Sequence, residues 1–177
     1  MMLKLLLVPA ALVAVFLGYI ALQSRNYVIS REIVIALPPE KIFPFISQPK
    51  LVHEWSPWLE QDPGLQMVYS GPSDGIGAKS SWDSRGKMGT GSATVIESVL
   101  NQRVQTQLDY TKPFEMSQVA EIVLKPTSGG TMVTWSVQGK SGFMARVMCS
   151  FMSMDKMVGD QFVKGLNTLK SRIEAKK

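Results

Sequence analysis

Between residues 64 and 139 the chain carries six short runs in which apolar and polar residues alternate: "LQMVYS", "GAKSSWDS", "GTGSATVIESV", "RVQTQLDY", "MSQVAEIVLK" and "TMVTWSVQG". A period of two puts every second side chain on one face of an extended chain, so each run is predicted as a half-buried strand. The separators "GPSDGIG", "SRGKMG", "LNQ", "TKPFE" and "PTSGG" supply the Gly, Pro, Asn, Ser and Asp that tight connections need. Tight connections join antiparallel neighbours, so the stretch reads as a meander of about six strands.

The flanks complete the layout. "NYVISREIVIAL" predicts a first strand with Ile29, Ile33, Ile35 and Leu37 on one face and Ser30 and Glu32 on the other. "PPEKIFPFIS" and "PKLVHEWSPW" predict two short helices: Pro39 suits a first turn, Ile42, Phe43 and Ile46 have helical spacing, Pro44 limits the first helix and Ser56-Pro57 ends the second. Beyond Gly142 no turn signal follows. Met144, Met148, Phe151, Val158, Phe162, Leu166, Leu169 and Ile173 recur at helical steps there, and predict one long amphipathic helix, with Lys170, Arg172, Lys176 and Lys177 near its negative pole. The predicted class is α+β: a curved antiparallel sheet of about seven strands wrapped around a long C-terminal helix, with two short helices after the first strand. Sheet and helix need not touch everywhere, and a cavity is expected between them.

Leu5 to Leu22, "LLLVPAALVAVFLGYIAL", has no charged side chain. At 1.5 Å per residue it would extend about 27 Å, close to the hydrocarbon thickness of a bilayer. A cleaved signal peptide fits less well, because the apolar run is long and "YIALQS" offers no A-x-A-like site. The expected organisation is a transmembrane anchor over residues 1–26 and one domain over 27–177, with single-pass attachment to a bacterial inner membrane. Lys4 stands before the span and Arg25 and Arg31 after it, so charge does not choose the side on which the domain lies. A net charge of +5 comes without clustered Lys/Arg and interleaved aromatics, so no nucleic acid partner is expected.

The strings "REIVIALPPEKIFPFISQPKLVHEWSPW", "GPSDGIGAKSSWD", "GGTMVTWSVQGK" and "DKMVGDQFVKGLNTLKSRIE" resemble the START-like helix-grip superfamily (SRPBCC proteins), in particular its polyketide cyclase/dehydrase-like branch. The resemblance covers nearly all of residues 30 to 175. It implies the helix-grip fold, a hydrophobic ligand such as a lipid, sterol or polyketide under the C-terminal helix, and catalysis only in a minority of members.

Residue chemistry points the same way. One His, one Cys and fourteen scattered carboxylates offer little for a catalytic constellation. His53 is a rim histidine more readily than a general base, and Cys149 a small apolar filler more readily than a nucleophile. "GPSDGIGAKS" is not a phosphate loop, because it leads into a strand and Ala78 separates Gly77 from Lys79. Trp55, Trp58, Trp82, Tyr110 and Trp135 come from separate elements that would surround one cavity. Met144, Met148 and Phe151 would roof it with adaptable side chains, and Asp155 would point inward or to its mouth. Met144, Met148, Met152, Met154, Met157 and Cys149 do not converge on a helical wheel, so neither a metal nor a cofactor is expected. The expected activity is membrane-tethered binding, or transfer, of a hydrophobic or lipid-like small molecule. The alternatives are a cyclase, dehydratase or hydrolase acting on a polyketide-like substrate, and an assembly factor that grips an apolar partner segment.

Overall fold

The structure is a computed structural model that describes residues 15–22, 24–58, 60, 62, 64–84, 86, 88–113, 115–143, 146–147, 150 and 153–175. Its elements are α1 (15–22), β1 (Asn26–Ile35), α2 (Pro39–Ser47), α3 (Pro49–Trp55), β2 (Met67–Ser70), β3 (Lys79–Asp83), β4 (Thr90–Val99), β5 (Arg103–Lys112), β6 (Met116–Thr127), β7 (Gly130–Lys140) and α4 (Met154–Glu174). All seven strands form one antiparallel sheet in the order β1-β7-β6-β5-β4-β3-β2. The meander is thus as predicted, with β1 paired to β7.

Local chemistry explains the connections. Asn101 takes φ 59 between β4 and β5, a left-handed conformation that Asn tolerates, and Gln102 N donates to Val99 O at 3.0 Å. Proline opens both α2 and α3, and Gln48 between them is extended, so it ends one helix and starts the other. Contrary to the predicted limit, α2 runs through Pro44 to Ser47.

One face of the sheet holds the core. Cross-strand partners Arg31, Trp135, Ile122 and Val104 form one inward row, and Ile29, Val137, Ala120, Thr106 and Val95 the next. Phe162, Leu166, Leu169 and Ile173 of α4 are all buried against this face, as their spacing requires. α4 packs chiefly along β1 and touches α3 and β7. It also satisfies the edge of the sheet: Lys170 Nζ donates to Val34 O at 2.9 Å, and Glu174 Oε1 accepts from Ala36 N at 3.0 Å.

The C-terminal helix is not one continuous element from Gly142. α4 starts at Met154, because Ser153 is extended (ψ 104) and its hydroxyl caps the helix by accepting from Lys156 N at 3.2 Å. A separate helical turn precedes it, in which Ser150 N donates to Arg146 O at 3.1 Å. The face assignments made for a single helix therefore do not carry across Ser153.

Among the described residues no helix is long and apolar enough to cross a membrane. Residues 5–14 of the predicted span lie outside the described residues, and 15–22 form α1. Arg146 is buried and donates through a terminal nitrogen to Ile20 O at 2.8 Å and Ala21 O at 3.4 Å, which caps the negative end of α1. Ile20 is fully buried, while Val15, Tyr19 and Leu22 are exposed.

Candidate functional site

The inward face has two ends of different character. At the first, Trp135 stacks on Phe162 of α4 with ring centroids 4.1 Å apart and planes 11° from parallel. Trp55 meets Trp135 edge to face at 5.0 Å, and its Nε1 donates to Phe45 O at 2.9 Å. Both tryptophans are buried. The space beneath the centre of α4, where a cavity was expected, is filled by this stack. Trp55 and Trp135 belong to the core, and Trp58 packs half-buried beside it.

The second end stays partly open. Alternation places Thr106, Leu108 and Tyr110 of β5 inward, next to Ala120 and Gln118 of β6 and Ala93 of β4. All are half-buried. The Tyr27 hydroxyl on β1 donates to Gln118 Oε1 at 2.7 Å, which orients the amide. Burial pushes the Tyr110 phenol up, and a hydrogen bond from Gln118 pulls it the other way. Trp82 on β3 meets Tyr110 edge to face at 5.6 Å. This face mixes small apolar side chains with a few fixed polar groups, the composition of a small-molecule site.

A cleft of about 720 Å³ lies beside this end, walled by Asp62, Leu65, Gln66, Val68 and Trp82, among others. Ser84 donates to Asp62, and Thr90 donates to Asp83 Oδ1 at 2.6 Å. A second, more open depression of about 420 Å³ sits at the turn between β1 and α2, against the β6–β7 hairpin, and its lining includes Pro38, Pro39 and Pro126.

The other candidate residues divide. Asp155 is in the first turn of α4, at the outside edge, with 62% of its side chain exposed. Arg31 grips it with both terminal nitrogens, at 2.9 and 3.2 Å, and also donates to its backbone carbonyl at 3.0 Å. Asp155 is thereby held below the usual carboxylate range and Arg31 above its own ordinary value. Its partner is a strand side chain, and it does not face the open end.

His53 is half-buried on α3, edge-on to Tyr69 at 6.2 Å. Burial lowers its pKa, and neighbouring Glu54 opposes the shift. Glu54 is paired with Arg172 at 3.0 Å. Met144, Met148, Phe151 and Cys149 lie outside the described residues. Met154 packs half-buried against the core, whereas Met157 is 55% exposed.

Sequence reasoning missed Arg31 and Arg146 as cross-chain clamps and missed Gln118. An arginine on the inward alternation of β1 was the legible signal for the first. Gln118 had none, because its partner Tyr27 is 91 residues away.

A family model described as "Polyketide cyclase / dehydrase and lipid transport" matches residues 27–174. Among solved structures, an uncharacterised protein from Rhizobium leguminosarum is similar at a TM-score of 0.61 and 14% identity, over 86% of this chain and 97% of that one. A Staphylococcus aureus protein of unknown function is similar at 0.62 and 13%, over 87% and 97%. The di-domain ARO/CYC StfQ from the steffimycin biosynthetic pathway is similar at 0.60 and 11%, over 85% of this chain and 51% of that one. At these identities the structures establish a shared fold. No curated protein matches the chain.

Proposed function

The chain belongs to the polyketide cyclase/dehydrase and lipid transport family, and from that membership we propose that it is a membrane-tethered domain that binds a hydrophobic or lipid-like small molecule. The observation that carries this reading is the division of the inward face. One end is packed solid by Trp55, Trp135 and Phe162, and the other presents half-buried Leu108, Tyr110, Gln118 and Ala120. A core that only had to be stable would have closed over both.

The mixture on that face suits an amphipathic molecule: Leu108 and the alanines offer apolar contact, and Tyr110 and Gln118 offer hydrogen bonds. Leu108, Tyr110, Gln118 and Ala120 themselves include no nucleophile–base pair, and the hydrogen bond from Ser84 to Asp62 belongs to the neighbouring cleft. Binding is therefore preferred to turnover. The tether rests on the uncharged run Leu5–Leu22 and on the exposed apolar Val15, Tyr19 and Leu22, which an apolar phase would cover. A bacterial inner membrane is the proposed location.

Native mass spectrometry of the full chain released from nanodiscs, followed by solvent extraction, tests the ligand. A discrete apolar molecule is expected to leave with the protein, and a chain that emerges empty from every preparation counts against binding. Flotation with liposomes tests the tether separately. The full chain should float and resist a carbonate wash.

A further inference from the structure

The joint between α1 and β1 ties one end of the sheet to the apolar N-terminal run. Only residues 23–25 separate the two elements, and the segment after β7 fastens both sides of the joint. The Arg25 carbonyl accepts from Ser141 N at 2.7 Å and from Ser141 Oγ at 3.1 Å, and Arg146 holds the carbonyls of Ile20 and Ala21. Ile20 is fully buried. A link this short and this restrained does not behave as a flexible coil, so the same end of the sheet always follows α1.

Register identifies that end. Asn26 pairs with Lys140, Gln118 with Gly139, Tyr110 with Met116 and Thr90 with Lys112. The start of β1 therefore shares a rim with the end of β7, the start of β6 and the end of β5. Arg25, Lys112 and Lys140 stand exposed along it, and among the described residues none of the three has an ion-pair partner. Glu115, in the turn between β5 and β6, offsets one of them; Asp62 and Asp83 lie farther along, at the cleft beside β2 and β3. Exposed Met116 and Phe143 interrupt the cations, and the Phe143 ring lies 5.8 Å from the Arg146 guanidinium that caps α1. Exposed Tyr19 and Leu22 continue the surface onto α1. Aromatic and apolar side chains at headgroup level, with cations beside them, are what a membrane–water interface selects.

We propose that this rim, Arg25, Lys112 and Lys140 with Met116 and Phe143, docks on the anionic headgroups of the bilayer that holds the N-terminal run, so that the open end of the inward face stands against lipid; the docking rests on the tether proposed above. Tyr110 lies directly opposite Met116, and Gln118 is two residues along β6 from it. A hydrophobic molecule leaving the bilayer would reach this end without crossing bulk water. Each cation at an anionic surface favours docking by about fivefold, and salt screens the effect.

The test places the full chain, labelled with methyl-¹³C methionine, as a single copy in nanodiscs of phosphatidylglycerol and phosphatidylcholine that contain a gadolinium-chelating headgroup lipid. Met116 marks the rim. Met132 marks the opposite end, because its partner Lys125 lies about 30 Å from Met116 at the rise of an extended strand. Met116→Leu and Met132→Leu assign the two signals. The Met116 methyl is expected to lose most of its intensity and the Met132 methyl to keep its own, since the paramagnetic effect falls steeply with distance. The double variant Lys112→Gln/Lys140→Gln should weaken docking by about twenty-fivefold and restore the Met116 signal, as should phosphatidylcholine alone. Unshifted methyl signals elsewhere report that the variant is folded. Equal attenuation of both methyls, or of neither, in a chain that stays with the nanodisc overturns the docking and leaves the tether standing. Attenuation of Met116 that ignores lipid charge and the lysine variant overturns it too. Attenuation that appears only with two copies to a disc assigns the rim to a second copy and likewise overturns docking on lipid. A chain that does not stay with the nanodisc overturns both.

Discussion

Removing one ring should collapse the contact that seats α4 on the sheet. Phe162 is 3% exposed and stacks at 4.1 Å on Trp135, which in turn holds Trp55 edge-on at 5.0 Å. Phe162→Ala deletes the outer ring of this stack, and its partner Trp135 cannot follow: it lies on β7, paired on both sides with β1 and β6, and bears on Trp55, which is pinned through its indole nitrogen to Phe45 O. A buried Phe→Ala change with limited relaxation costs about 3–5 kcal/mol. For a domain of this size each kcal/mol lowers the melting temperature by about 2–4 °C, so a fall of roughly 6–20 °C is expected. Val163, adjacent in sequence but 45% exposed, is the control, and Val163→Ala should change stability by no more than about 0.5 kcal/mol. Equilibrium urea unfolding followed by tryptophan fluorescence measures both, with an unchanged slope as the sign that the same two states are compared. A loss for Phe162→Ala below about 1 kcal/mol would refute the reasoning, because it would mean that the space beneath α4 is open and not filled.

Three further outcomes follow from particular contacts. Gly165→Ala should destabilise even though alanine favours a helix by about 1 kcal/mol: its Cβ would lie 2.8 Å from the Trp135 ring and 2.9 Å from Pro57 Cδ, and overpacking of this kind costs about 1–3 kcal/mol; a melting temperature above that of the native chain would contradict it. Stability should decline in two separable acid steps, since both shifted groups have folded pKa values below their unfolded ones and lose their contribution as pH falls through the folded value. His53→Gln should flatten the step beginning below about pH 6.5, and Asp155→Asn the one below about pH 4, with the second effect small and shrinking in salt because the Arg31–Asp155 pair is exposed; urea midpoints across the range measure both. Arg146→Met should release the end of α1 from the domain, read as faster hydrogen exchange at Ile20 and Ala21 than in the native chain.

Comparison of particular elements shows where reading along the chain stops. The inward positions of β1, Ile29 and Ile35, and the stripe Phe162, Leu166, Leu169 and Ile173 followed from periodicity, because burial on one face imposes a repeat of two or 3.6 on neighbouring residues. The same repeat misled at Ser153: apolar spacing continues through it, but the extended backbone and the hydroxyl cap start a new helix there. A serine followed closely by Asp155 is the start signal that the methionine pattern hid. The aromatics were identified as a group, but their roles could not be told apart. Trp55 and Trp135 fill the core and Trp82 stands with an unpaired donor, yet all three read alike in sequence.

The sequence by itself determined the strands and the two short helices, their order, the antiparallel meander and the family, since each rests on local repeats, turn chemistry and strings within a single element. Only the tertiary structure decided which end of the inward face is packed and which stays open, that Arg31 holds Asp155 across 124 residues, and that Gly91 leaves room for the Trp82 indole beside Tyr110. The physical reason is the sheet order. Cross-strand neighbours are set by pairing between segments distant in the chain, and a side chain's partners, unlike its periodicity, leave no mark on the residues beside it.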